Sequence, residues 1–199
     1  MGKLDDLERV HPADRAEWRA WLAENHATSP GVWLVTWRRA SGRTPLAYED
    51  AVEEALCVGW VDSLGRAVDA ERTSLLYTPR KRGSGWSRPN KQRVARLEEA
   101  GLMRPAGRAV VEAAIADGSW TMLDDVEDLV EPPELRALLD ADPAARAHWD
   151  AFPRSAKRGL LEWIVQARRP ETRARRIAET AEAASRGERA NEWRRRERP

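Results

Sequence analysis

The sequence predicts an α+β fold, in which a small antiparallel or mixed β-sheet with helices forms the N-terminal half and a helical half follows. Two observations predict this fold. Short runs with the alternation typical of strands precede Pro79. After Pro79, apolar residues recur at helical spacing between prolines and glycines suited to helix ends. We therefore expect an α/β subdomain over residues 1–79, a helical subdomain packed on it over 80–187, and a charged, frayed tail over 188–199.

The first half contains five predicted elements, in the order helix, strand, helix, strand and strand. They span residues 11–25, 32–39, 48–58, 60–68 and 73–78. In the second helix, we expect most of the acidic side chains to face outward, namely Glu49, Asp50, Glu53 and Glu54. The last two strands suit a hairpin, and Gly65 is expected to mark a bulge in it.

Prolines and glycines divide the second half into predicted helices. Ser87 suits an N-cap, and Pro89 suits the first turn of a helix that Gly101 ends. Further helices are expected over 105–117, 133–139, 143–152 and 153–167, and from Pro170 onward. The segment from Gly118 to Leu129 is expected to be irregular.

Composition and charge narrow the class of protein. The chain has 199 residues, 42% hydrophobic and 34% charged, with a formal net charge of +1. A bulk nucleic-acid binder usually carries a net positive excess, so nucleic acid is not the favoured partner. A single cysteine permits no internal disulfide and suits a reducing cytoplasm. No apolar run approaches the roughly 18 residues that a membrane span needs, so we expect no membrane insertion.

Three motifs occur in order along the chain and carry a resemblance. They are Ala-Leu-Cys-Val-Gly-Trp-Val-Asp-Ser at 55–63, Pro-Arg-Lys-Arg-Gly-Ser-Gly-Trp-Ser-Arg-Pro-Asn at 79–90, and Ala-Arg-Arg-Pro-Glu-Thr-Arg-Ala-Arg-Arg-Ile at 167–177. Over roughly residues 18–187 the chain resembles the YdeI/OmpD-associated family of bacterial proteins, also labelled bacteriocin-protection proteins. The resemblance implies a role in envelope stress or bacteriocin resistance and an association with an outer-membrane porin. It brings no catalytic triad, metal or cofactor to particular positions.

The basic segment 79–90 is the first candidate site. Its donors are Arg80, Lys81, Arg82, Ser84, Ser87 and Asn90, and Trp86 adds a flat surface beside two small residues. The helix that begins near Arg88 contributes free N–H groups, so the segment suits an anion. The alternative is that these arginines pair with the acidic residues of segment 109–142.

Asp62 is the second candidate, because it is a carboxylate placed between apolar neighbours on a predicted strand. An arginine from 80–82 or from the C-terminal motif is its expected partner. An ion pair that holds the sheet to the helical half is one interpretation, and a general acid or base is the other.

The remaining candidates are an arginine cluster, one thiol and three histidines. Arg169, Arg173 and Arg176 share a helix face, where they suit either internal counter-charges or an anionic ligand. Cys57 is expected to be a small buried residue rather than a nucleophile. The spacing of the histidines predicts no metal site.

The favoured function is a cytoplasmic stress-protection or bacteriocin-protection protein that binds a small anionic or aromatic ligand between the two halves, without a cofactor. The residues expected to bind the ligand are Trp60, Asp62, Arg80, Lys81, Ser84, Trp86, Ser87, Asn90, Arg173 and Arg176. A small cofactor-independent enzyme that uses Asp62 in the same pocket is the first alternative, so the sequence leaves open whether the protein is an enzyme. A nucleic-acid binder that uses the arginine clusters is the second.

Overall fold

A computed structural model describes residues 4–191 of the chain. The part of the predicted tail beyond residue 191, and Trp193 with it, lies outside the described residues. The chain divides into two compact units. The first comprises the residues up to Ser84 together with Pro89–Trp120, and the second comprises Gly85–Arg88 together with the residues from Thr121 onward. The predicted α+β class is confirmed, since the sheet lies in the N-terminal part and helices form the C-terminal half.

The first unit contains a four-stranded mixed sheet. Its strands are β1 (Arg9–Val10), β2 (Val32–Trp37), β3 (Trp60–Ala67) and β4 (Arg72–Pro79). They lie in the order β1-β2-β4-β3, and β1 runs parallel to β2 while the other pairs are antiparallel. The predicted hairpin of β3 and β4 is confirmed, with a register shift between Asp62 and Gly65 at the expected bulge. The sequence did not predict β1, because two residues are too few to show an alternating pattern.

The first unit also contains the helices α1 (Arg15–Asn25), α2 (Tyr48–Cys57), α3 (Arg88–Glu99, from Pro89 onward) and α4 (Pro105–Ala116). Helix α1 begins four residues later than expected, because the Asp14 carboxylate accepts hydrogen bonds from the amides of Ala16 and Glu17. Trp18 joins α1 to α2 through a hydrogen bond from its indole to the carbonyl of Ala51, at 3.1 Å.

Glu54 corrects one expectation about α2. Its side chain does not face solvent but is buried, at 4% exposure. Arg15 donates to Glu54 at 2.6 Å, and Arg19 makes two further hydrogen bonds to it at 2.6 and 2.8 Å. Because a buried carboxylate needs a counter-charge, these two arginines of α1 turn the acidic face of α2 into a helix contact.

The second unit is helical. Its helices are α5 (Asp124–Glu127), α6 (Pro133–Asp140), α7 (Pro143–Ala151), α8 (Arg154–Val165) and α9 (Pro170–Ser185). The starts of α6, α7 and α9 at prolines agree with the sequence prediction, while the segment expected to be irregular contains the one-turn helix α5. Helix α9 packs against α6, α7 and α8. The core of this unit includes Leu135, Leu139, Trp149, Leu161, Ile164, Ile177 and Ala184.

Within residues 4–191, every helix is too short or too polar to cross a bilayer. The same residues contain no group of three or more histidine, cysteine, aspartate or glutamate side chains placed to hold a metal ion.

Candidate functional site

Asp62 is the centre of a polar cluster in the first unit. The chain contains only two tyrosines. Tyr48, the first residue of α2, donates its hydroxyl to Oδ2 of Asp62 at 3.0 Å. Tyr77 lies directly opposite Asp62 in the register of β3 and β4. Two tyrosines that lie 29 positions apart in the sequence therefore meet beside one carboxylate.

Tyr77 contributes a buried hydroxyl to this cluster. The residue is 0% exposed, and its ring lies 5.4 Å from that of Trp18. Its hydroxyl oxygen is buried and makes no hydrogen bond to any described residue. Burial, together with the charge of Asp62, raises the pKa of Tyr77 far above its ordinary value. The hydroxyl therefore stays protonated at neutral pH and is a buried donor.

Tyr48 differs from Tyr77 in its access to solvent, since 56% of it is exposed. Burial of part of its ring and the neighbouring Asp62 carboxylate raise the pKa of its hydroxyl. Both hydroxyls are therefore protonated at neutral pH, and neither acts as a base.

Two arginines complete what we call the Asp62 cluster, which consists of Tyr48, Asp62, Tyr77, Arg80 and Arg93. Burial lowers the pKa of Arg80 to about 10, against the opposing effect of the Asp62 carboxylate, so this guanidinium is still charged at neutral pH. Its backbone amide donates to the carbonyl of residue 59 at 3.0 Å, which fixes it at the end of β4.

Arg93 of α3 joins the cluster to the start of α2. It donates to both carboxylate oxygens of Glu49, at 3.0 and 2.7 Å, and to Oδ1 of Asn90 at 2.9 Å. Only 14% of its side chain is exposed. Arg93 was not anticipated from the sequence, whereas Arg80 and Asn90 were.

A groove of about 910 Å³ opens beside Tyr48. We call it the Tyr48 groove, and the lining residues used below are Trp37, Arg38, Arg39, Leu46, Tyr48 and Glu49. The Arg43 guanidinium lies 4.4 Å from the centre of the Trp37 ring, and the His11 ring lies 4.7 Å from it. The groove therefore combines aromatic rings with positive charge, and Tyr48 belongs both to its wall and to the Asp62 cluster.

The other predicted site residues of the first unit lie in different settings. Trp60 is 1% exposed, and its indole donates to the carbonyl of His26 at 3.2 Å. Lys81 is exposed, and its carbonyl accepts a hydrogen bond from the amide of Ser84 at 3.2 Å. Trp60 is thus a core residue of this unit.

The remaining predicted residues belong to the second unit. Trp86 is buried at 1% exposure, and Ser87 beside it is half-buried. Arg173 pairs with Glu134 at 3.0 Å. Arg176 turns away from that pair, donates to the carbonyl of Trp163 and lies 4.9 Å from the centre of the Trp163 ring. The ligand-binding roles assigned to these residues stay predictions, as does the pocket expected between the two halves.

Several arginines of the basic segments have acidic partners. Within the first unit, Arg82 lies 3.5 Å from Asp117, and within the second, Arg88 lies 2.8 Å from Asp128. These two pairs match the alternative in which segment 109–142 neutralises the basic segment. Charges engaged in this way are less available to phosphates.

Cys57 agrees with its expected character as a small buried residue. It is 5% exposed at the end of α2. Burial, with a contribution from the neighbouring Glu54 charge, raises the pKa of the thiol to about 11. Since the thiolate is the reactive form, this site does not favour a nucleophile.

The fold and the Asp62 cluster define an α+β protein whose sheet unit carries a polar cluster beside an aromatic and basic groove. Residues 10–110 match the model of a family described as a domain of unknown function, DUF8412, and the chain belongs to that family. Residues 128–187 match the family described as "Bacteriocin-protection, YdeI or OmpD-Associated", which confirms the resemblance noted in the sequence. The motif at 167–177 lies inside this second match, whereas the motifs at 55–63 and 79–90 lie inside the first. No curated protein and no solved structure matches the chain.

Proposed function

We propose that the sheet unit binds a small anionic or aromatic ligand in the Tyr48 groove, with the Asp62 cluster fixing its wall. The observation that carries the proposal is the convergence of both tyrosines on Asp62 at the edge of this groove. Its volume of about 910 Å³ falls in the range of roughly 300–1,000 Å³ typical of small-molecule sites.

Positive charge supports an anionic group on the ligand. Arg38 and Arg39 both line the groove. Nε of Arg38 donates to the carbonyl of Arg72 at 3.2 Å, and its terminal N–H groups make no hydrogen bond to described residues. The acidic lining residue, Glu49, is neutralised by Arg93 and by Arg96, which lies 3.0 Å away. An entering anion therefore meets more positive than negative charge.

Flat side chains support an aromatic or apolar part. Trp37 and Tyr48 provide ring edges and faces, and Leu46 adds apolar surface. The hydrogen bond to Asp62 holds the Tyr48 ring in one orientation, so the wall is ordered before the ligand arrives. This arrangement favours a planar anion over a bare inorganic one.

The family matched by residues 128–187 supports a cellular role for this binding. Its description contains the words bacteriocin protection. We propose that ligand binding by the sheet unit serves a stress-protection or bacteriocin-protection role in the cytoplasm.

A thermal-shift titration with matched probes tests the binding proposal. The probes are benzoate and phenyl phosphate, each with an anionic group on a planar ring and called planar anions here, benzyl alcohol as the uncharged control and inorganic phosphate as the control without a ring. A ligand at a hundred times its Kd stabilises the folded state by about 2.7 kcal/mol. We expect the planar anions to raise Tm most, and we expect the Arg38→Gln variant to lose this rise.

The matched control is Arg175→Gln, which removes an arginine from α9 outside the groove. It should keep the full response. The proposal fails if no planar anion raises Tm at millimolar concentration, or if the Arg38→Gln and Arg175→Gln variants respond alike.

A further inference from the structure

A second groove, of about 810 Å³, lies within the second unit between α6 and α9. We call it the α6–α9 groove, and the lining residues that matter are Ala137, Leu138, Ala167, Arg168, Arg173 and Ala174. None of the proposed contacts in the Tyr48 groove involves these residues, so the two grooves can be tested separately.

Much of the wall of the α6–α9 groove is apolar, although Glu134 also lines it. Leu138 is 44% exposed, although its neighbours Leu135 and Leu139 on α6 are fully buried. Ala137 and Ala174 are exposed small residues on the two facing helices. Leu138 therefore presents its side chain to the groove instead of to the core, and a ligand with an apolar body would remove this surface from water.

Two arginines give the groove a positive end. Arg168, in the segment between α8 and α9, is exposed and makes no ion pair or hydrogen bond with any described residue. Arg173 pairs with Glu134, but the two side chains are 37% and 58% exposed. An ion pair that is this open to water is weak, so a ligand carboxylate can compete with Glu134 for Arg173.

We infer that the α6–α9 groove binds an amphiphilic carboxylate, that is, a small molecule with an apolar chain and one carboxylate head. The chain lies along Leu138 and the two alanines, and the head pairs with Arg168 and Arg173. The carboxylate follows from charge complementarity, since a guanidinium binds a carboxylate through two parallel hydrogen bonds. The apolar body follows from the lining and from a volume within the small-molecule range.

Isothermal titration calorimetry of the full chain with octanoate tests this inference. The matched probes are 1-octanol, which lacks the charge, and octyltrimethylammonium, which reverses it. We expect octanoate to bind at least about tenfold more tightly than either, since one charged hydrogen-bonded contact contributes about 1.4 kcal/mol or more. Equal binding of octanoate and 1-octanol would overturn the role of the arginines.

Three variants locate the site. We expect Arg168→Gln and Arg173→Gln each to weaken octanoate binding by about five- to tenfold, and Ala174→Trp to abolish it by filling the groove. The matched controls are Arg175→Gln, which lies on the same helix outside the lining, and Ala147→Trp, which places the same large side chain on an exposed position of α7.

Both controls should bind octanoate as the unaltered chain does, and far-ultraviolet circular dichroism should show every variant folded. If Ala174→Trp is unfolded, the two arginine variants decide the question. The inference is overturned if octanoate does not bind, if the controls weaken binding as much as the groove variants, or if a glutamate-rich amphipathic peptide binds the groove while octanoate does not.

Discussion

Tyr77 stands directly opposite Asp62 on the paired strands β4 and β3, and its buried hydroxyl has no hydrogen-bond partner among the described residues. The exposed Tyr48 takes the hydrogen bond to the same carboxylate instead. A buried phenol without an acceptor lowers stability. The Asp62 cluster differs from an ordinary core contact because Tyr48, which donates to the same carboxylate, also lines the Tyr48 groove.

Replacing Tyr77 with phenylalanine tests this relationship. Because an unpaired buried polar group costs about 1–3 kcal/mol, Tyr77→Phe should leave the free energy of unfolding unchanged or raise it by up to about 1 kcal/mol. Urea unfolding at pH 7 measures the change. The matched variant Tyr48→Phe loses a hydrogen bond and should lose about 0.5–1.5 kcal/mol. A loss of more than about 1 kcal/mol in Tyr77→Phe would mean that its hydroxyl has a partner.

The buried pair of Glu54 with Arg15 and Arg19 predicts a stability cost. Glu54→Gln keeps the shape but removes the carboxylate that pairs with Arg19, while Arg15 keeps Asp50 and Glu53. This loss of a buried charged hydrogen bond should lower the free energy of unfolding by about 1–3 kcal/mol. Asp50→Asn is the control, because that side chain is 39% exposed and, among residues 4–191, pairs only with Arg15. An equal loss of unfolding free energy in the two variants would show that the burial of Glu54 does not strengthen its contribution to stability.

The same pair predicts a dependence on pH. Burial alone would raise the pKa of Glu54, but hydrogen bonds from Arg19 and Arg15 outweigh it and hold this pKa below its ordinary value. A lowered folded-state pKa gives stability that is present above the ordinary glutamate value of about 4.3 and lost as pH falls through the folded-state pKa. The stability difference between the unaltered chain and Glu54→Gln should therefore shrink as unfolding is measured at successively lower pH below about 4. A constant difference would contradict this account.

Two glycines in helices predict opposite effects of the same substitution. A Cβ on Gly107 of α4 would lie 2.4 Å from the backbone carbonyl oxygen of Cys57, which cannot move aside cheaply, whereas a Cβ on Gly159 of α8 would meet nothing within 4 Å. Gly107→Ala should therefore lower the free energy of unfolding by about 1–3 kcal/mol. Gly159→Ala should raise it by roughly 0.5–1 kcal/mol. Thermal unfolding of both variants measures the contrast, and a stabilised Gly107→Ala would disprove the close approach of α4 to α2.

We expect the Cys57 thiol to react slowly with disulfide reagents. With its pKa raised to about 11 by burial, roughly one thiol in a thousand is ionised at pH 8. A disulfide reagent such as dithionitrobenzoate should therefore react with the folded chain at a rate limited by opening of the structure, and rapidly in urea. Stoichiometric labelling of the folded chain within seconds would contradict the burial of this residue.

Local patterns predicted most elements, because their causes are local. Pro105, Pro133, Pro143 and Pro170 each begin a helix as expected, since the missing N–H of proline costs nothing in a first turn. The bulge near Gly65 also followed from the sequence. The predicted start of α1, at His11, was wrong by four residues, because Asp14 caps the helix and Arg15 is its first residue.

The site was predicted less completely, because its contacts join distant residues. Asp62 and Arg80 were identified from their own neighbours in the sequence, but Tyr48 and Tyr77 were not. The periodicity of a strand places Tyr77 without showing which residue lies opposite it. The burial of Glu54 was hidden in the same way, since it depends on two arginines more than thirty residues away. The rarity of tyrosine in this chain was an available signal that was not used.

A titration of ¹⁵N-tryptophan-labelled protein with phenyl phosphate, followed through the indole N–H resonances, tests ligand binding in the Tyr48 groove. We expect the resonance of Trp37, assigned with a Trp37→Phe variant, to shift in a saturable way. Trp33 is the internal reference, because its indole donates to the carbonyl of Leu4 at 2.8 Å and it does not line the groove. A saturable shift of Trp37 with Trp33 unchanged supports ligand binding in the Tyr48 groove. No shift of Trp37, or a saturable shift confined to Trp163, would contradict it.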